Sequence, residues 1–236
     1  MSETANLGLP LLQPAQAQKH VTVNEALVRV DGMTQLSLLS TTVATPPVSA
    51  QDGDSFAVPV GAVNEWDGHE GEVAIYSNGG WVFLQPRIGW RGWIAELGAL
   101  AVFDGSSWVS GAISVSPNRA ALVVRAIEFD QPITAGASID CDVQLPGNTM
   151  ILAISGRVKA AISGTLNSWK LGFQADEDRY GSGYGLAVGT PIVGLFSRPN
   201  AFSGDTILKL TAEGGEFTGG EVRLVLHFYE VTAPSV

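Results

Sequence analysis

The stretch ASIDCDVQL, residues 137–145, alternates without a break, with Ile139, Cys141, Val143 and Leu145 on one side and Asp140, Asp142 and Gln144 on the other. A period of two marks a strand with one face buried, because successive side chains on a strand point to opposite sides of the sheet. EVRLVLHFYE, residues 221–230, repeats the pattern with Val222, Leu224, Leu226 and Phe228 inward. Its outward side keeps Val225 and Tyr229 beside Arg223 and His227, an apolar mixture that suggests a face covered by another subunit. Further strands are expected at ALVVRAIEF, MILAISGRV, WKLGFQ and TILKLTAE. With glycine turns such as EGGEFTGGE and no convincing helical period, residues 112–236 are expected to form an antiparallel β-sandwich or jelly roll. The lone cysteine, Cys141, excludes an internal disulfide and, at an inward strand position, reads as a small buried hydrophobe.

Residues 46–111 read as a small Trp-rich β-module. SFAVPV and EVAIYS are short strand candidates, and AIYSNGGWVF (74–83) is echoed by AVFDGSSWVS (101–110). In each, an aromatic precedes a tight turn and a tryptophan follows, as when a β-hairpin closes on a cross-strand aromatic pair. Trp66, Trp81, Trp90, Trp93 and Trp108 all fall in this module. Two readings stay open: indoles filling a limited core, or an exposed indole platform for sugar rings. Surface exposure separates them.

Residues 1–45 read as an N-terminal segment that carries one helix. From Val21 the apolar residues fall at Val23, Ala26, Leu27, Val30, Met33 and Leu36, the spacing of one helix face, which predicts a single amphipathic helix of about 14 to 18 residues. Such a helix is marginal alone and needs its own domain or neighbouring copies to lie on. Ahead of it Gln16, Lys19, His20, Asn24 and Glu25 crowd together. His20 and Glu25 are five apart and share a helix face poorly, so the cluster reads as hydrogen-bonding equipment for attachment and oligomerisation, not as a catalytic pair. Residues 40–54, rich in Thr, Ser and Pro, read as a linker.

Charge narrows the function. Thirteen Lys and Arg against a net charge of −10 argue against nucleic acid and anionic membranes. Charged residues make up 15% of the chain, thin against about 25% in an average domain, which suits a surface that meets protein. No run reaches the ~18 apolar residues of a membrane span, and the N-terminus lacks a secretory signal, so synthesis in a cytoplasm is expected. His20, His69 and His227 show no ligand spacing, and no G-x-S-x-G elbow occurs. The acidic run ADEDRYGSGYG lacks the alternating pattern of a calcium loop. These residues favour a binding or structural module over an enzyme, with no catalytic residue, metal or cofactor expected. If a glycan is bound, the polar and aromatic loop residues Asp176, Asp178, Arg179, Tyr180 and Tyr184 are the first candidates. Trp169, Arg198 and Asn200 stand beside them, offering ring faces or hydrogen bonds to hydroxyls.

ANLGLPLLQPAQAQKHVTVNEAL, followed by DGDSFAVPVGAVNEWDGHEGEVAIYSNGGWVFLQPRIGWRGWIAELGALAVFDGSSWV, resembles an uncharacterised domain of tail-fibre and head-spike proteins from alphaproteobacterial phages, prophages and gene transfer agents. The QAQKHVTxNEAL run, the GDxF step and the terminal FDGxxW occur in family order, although Val23 stands where the family usually has a polar residue. The remainder, with GRVKAAISGT and YGSGYGLAVGT, is similar to the β-domain that follows this module in some such fibres. The resemblance implies a virion surface component, attached by its N-terminal part to other virion proteins and turning its C-terminal part to host capsular or lipopolysaccharide glycans. A homo-oligomer is implied too, trimer first and pentamer next. It supplies no active site.

Overall fold

The computed structural model describes residues 3–12 and 19–235, without the side chains of residues 19, 20 and 196–200. The fold is mainly β, with one helix near the N-terminus. The chain divides into two units, Met1–Arg119 and Ala120–Val236.

In the first unit, helix α1 (Lys19–Met33) precedes strands β1 (Ser37–Leu38), β2 (Ser55–Ala57), β3 (Val73–Ser77), β4 (Gly80–Leu84), β5 (Arg91–Ile94), β6 (Ala99–Phe103), β7 (Trp108–Ser110) and β8 (Ala112–Val115). One sheet runs β2-β3-β4, and a second runs β1-β5-β6-β7, with β1 parallel to β5. The two echoed stretches become equivalent hairpins. In the first, Asn78 and Gly79 both take positive φ, 52° and 83°, the two-residue turn whose twist matches the strands it joins. Its Tyr76 faces Trp81 across the pair with ring centroids 5.0 Å apart, and in the second Phe103 faces Trp108 at 5.4 Å.

The indoles divide between core and surface. Trp66 is fully buried against Phe56 and Trp81, whereas Trp93 is 44% exposed on β5, opposite Leu100, itself 61% exposed. A second cluster gathers Leu36, Leu38, Ala57, Val73, Ile75 and Leu84.

Helix α1 lies on this unit with only part of its apolar period turned in. Its inward side is Asn24, Leu27, Val28, Asp31 and Gly32, and a Cβ on Gly32 would collide with Ile75. Of the apolar period, Leu27 is half-buried and Leu36 buried, whereas Val23, Val30 and Met33 are 41%, 46% and 39% exposed and are left for another surface. The polar residues Asn24 and Asp31 take the packing side because residues 4–12 supply their hydrogen-bond partners.

The second unit contains β9 (Ala121–Ile133), β10 (Ser138–Leu145), β11 (Thr149–Gly164), β12 (Ser168–Gly172), β13 (Pro191–Phe202), β14 (Thr206–Glu213) and β15 (Phe217–Val231). Its strands form two sheets, β13-β11-β15-β9 and β10-β14-β12, and every successive strand crosses from one sheet to the other. Beyond β12, Tyr180–Tyr184 adds an irregular fourth rung: Tyr180 N–H donates to Leu171 O at 2.8 Å and Tyr184 N–H to Trp169 O at 2.9 Å. Two four-rung layers with this order make a jelly roll.

Alternation along the strands fills the space between the layers. Ile139, Cys141 and Leu145 from one sheet meet Ile154, Val222, Leu224, Leu226 and Phe228 from the other in one cluster. Val143 is only partly buried, beside an irregularity in the β10–β14 register. Strand β13 alternates over residues 191–195, with Ile192 and Gly194 buried and Val193 and Leu195 exposed; Pro191 is its first residue and the strand lies at a sheet edge, where a missing N–H is tolerated.

Candidate functional site

The N-terminal signature builds a clamp. Residues 3–12 fold back on α1, with Thr4 N–H bonded to Leu9 O at 2.9 Å and Thr4 Oγ1 accepting from Leu9 N–H at 2.9 Å. The Thr4 hydroxyl donates to Asp31 Oδ1 at 2.6 Å, and the same carboxylate accepts from the N–H groups of Asn6 and Leu7 at 2.9 and 2.7 Å. Burial works to raise the Asp31 carboxyl, but bonds from Thr4, Asn6 and Leu7 outweigh it and hold the group below its ordinary value. Two turns earlier, Asn24 pairs with Leu12 as a strand would, accepting from its N–H at 2.8 Å and donating to its carbonyl at 3.0 Å.

Of the residues expected to serve attachment, Asn24 is thus engaged within the chain, and Glu25 pairs with Arg29 one helical turn on at 2.8 Å. Gln16 lies outside the described residues, as do the side chains of Lys19 and His20, whose backbone begins α1. Beside the exposed Glu25–Arg29 pair, α1 turns an apolar stripe outward: Val23, Ala26, Val30 and Met33, spaced three, four and three. That narrow stripe is the seam pattern by which one helix packs on another. Asp31, missed by periodicity, is detectable only as an acidic residue on the side of the helix away from the apolar run.

The loop between β12 and β13 is different from the expected glycan platform. Trp169 is fully buried, its Nε1 donating to Gly185 O at 3.1 Å, and Tyr180 is 1% exposed. Neither presents a ring face to a sugar; both rings close the open edge of the jelly-roll core instead. Tyr184 is half-buried, tilted against Trp169, and donates its hydroxyl to Tyr180 O at 2.5 Å. Burial raises the phenols of both tyrosines.

The charges in this loop are compensated nearby. Glu177 pairs with Lys170 at 2.9 Å and Asp176 lies 3.6 Å from Arg179, while Asp178 is exposed. Arg198 and Asn200 belong to β13 by backbone, but their side chains lie outside the described residues. Among the described residues no cluster of three His, Cys, Asp or Glu is placed to hold a metal.

The outer face of β13-β11-β15-β9 carries a second apolar surface. In register, Tyr229 stands between Val124 and Met150, His227 between Ala126 and Ala153, and Val225 between Glu128 and Ser155. Leu195 and Val193 extend the latter two rows onto β13, 75% and 61% exposed. The Ser155 hydroxyl and His227 Nε2 are 2.8 Å apart within this face. Beyond it Arg223 binds Asp130 at 2.7 Å, and Lys159 binds both Asp130 and Glu221, at 2.7 and 2.9 Å.

A mainly β protein with a clamped helix and two uncovered apolar surfaces is the class these features define. Residues 23–109 match the family described as "Protein of unknown function (DUF2793)", so the N-terminal region carries that domain. Among solved structures, a chain titled "Cyanophage Pam1 capsid asymmetric unit" is 14% identical, with 47% of this chain and 84% of that one covered and a TM-score of 0.34. No curated protein matches. No helix among the described residues is long and apolar enough to cross a membrane.

Proposed function

We propose that the chain is a non-enzymatic virion structural protein, a fibre or spike subunit of a phage or gene transfer agent. It assembles as a homo-oligomer, docks other virion proteins through its N-terminal unit and turns its jelly roll outward, toward host surface glycans. The observation that carries this reading is the uncovered stripe Val23, Ala26, Val30 and Met33. It lies within the stretch that bears the family signature, and contiguous exposed apolar surface marks an interaction site. The clamp through Asn24 and Asp31 gives the stripe a fixed presentation.

The test is incorporation. The double variant Val23→Asp, Val30→Asp changes exposed positions, so it is expected to fold as the parent does and to be missing from purified particles. Equal incorporation of parent and variant would remove the stripe from the account. A second reading, a structural subunit that touches no host molecule, is favoured by the burial of Trp169 and Tyr180. A glycan array on the full chain decides between the two: a signal supports receptor contact, and a blank array supports the structural subunit.

A further inference from the structure

We infer that the outer face of β13-β11-β15-β9 is where two copies of this chain meet. The inference deepens the assembly reading above and rests on it, adding which surface of the second unit is used and by what partner.

The geometry starts from alternation. Val222, Leu224, Leu226 and Phe228 turn to the core, so Val225, His227 and Tyr229 turn to the opposite side of β15. Their cross-strand neighbours are mostly apolar: Val124 and Met150 beside Tyr229, Ala126 and Ala153 beside His227. On the edge strand, Val193 and Leu195 are 61% and 75% exposed. Four strands about 4.8 Å apart and seven residues at about 3.3 Å give a face of roughly 19 by 23 Å, over 400 Å² per copy in projection. Counted over two copies and allowing for side-chain relief, that reaches about 1,000 Å², the lower bound of a specific interface.

Charge selects the partner. The chain carries −10 overall, so most approaches of one copy to another bring acidic surface against acidic surface. This face is balanced: Glu128, Asp130 and Glu221 are matched by Arg157, Lys159 and Arg223. A basic partner would be drawn to the acidic remainder of the molecule. A second copy meets least repulsion here, apolar rows against apolar rows, with the ion pairs at the rim.

Light scattering after gel filtration of the full chain, loaded at about 100 µM, tests the assignment. The parent is expected to run as an oligomer. Val193→Glu with Leu195→Glu is expected to run as a monomer, with at least a tenfold weaker self-association and an unchanged circular dichroism spectrum. Should the glutamates disturb folding, Val193→Ser with Leu195→Ser provides the milder comparison and is expected to weaken association in the same direction. A monomeric parent overturns the inference, as does an oligomer of equal mass in the face variants. So does an oligomer that Val23→Asp with Val30→Asp dissociates and the face variants do not, which assigns the copy contact to α1. Particle incorporation is scored separately, so the assembly reading stands or falls on its own measurement.

Discussion

Thr4 and Asp31, 27 residues apart in sequence, are joined by a 2.6 Å hydrogen bond in which the threonine hydroxyl donates to the carboxylate. Both residues are buried, and the same carboxylate takes the N–H groups of Asn6 and Leu7, so one side chain fixes the path of the N-terminal segment over α1.

Asp31→Asn replaces a charged acceptor by a neutral amide that must also find a place for two donors, and should cost about 2 kcal/mol at pH 7. The pH dependence follows from the sign of the shift. The folded carboxyl lies below its ordinary value, so its stabilisation is fully present above the unfolded value of about 3.9 and fades as pH falls through the lower folded value. Urea unfolding followed by tryptophan fluorescence should show parent and variant far apart at pH 7 and converging in acid. A gap that stays constant into acid would mean the carboxylate's charge is not what matters.

Trp169→Ala opens a cavity at the sheet edge and strips Gly185 O of its donor, with an expected loss of about 3–5 kcal/mol. A thermal melt with little change would show that the indole is not part of the core.

The Cys141 thiol is pushed up to about 12, chiefly by burial and further by Asp142 and Asp140. It should resist a thiol reagent at pH 8 in the folded protein and react at once in urea. Rapid labelling of the native chain would contradict its place between the sheets.

Asp130 accepts from Arg223 and then Lys159, and these bonds hold its carboxyl well below the usual range. Arg223→Gln should return the Asp130 titration upward, as read by carbon NMR of the side chain. An unmoved titration would show that the pair does not form in solution.

The alternation of β10 and β15 was readable because each strand has one dry face: Ile139, Cys141 and Leu145 are buried while Asp140, Asp142 and Gln144 are exposed. The hairpin at Asn78-Gly79 was equally legible, since turn chemistry is local. The orientation of α1 was not, because only Leu27 and Leu36 of its apolar period turn in, and its inward side depends on Thr4, Asn6, Leu7 and Leu12, partners that periodicity does not contain. Tyr180 read as a loop aromatic, and Trp169 as a strand end beside it, for the same reason: the rung from Tyr180 to Tyr184 that buries them is held by backbone bonds to β12, with no strand pattern in its sequence. Edge strand β13, broken by Gly194 and Pro199, offered no period at all.

The proposed function makes this chain a built-in part of a particle. Electron microscopy of purified particles labelled with gold-conjugated antibody to residues 120–236 tests it most directly. Gold is expected at a defined, repeated position on the particle exterior. Particles that carry no label, from cells that express the protein, would contradict it.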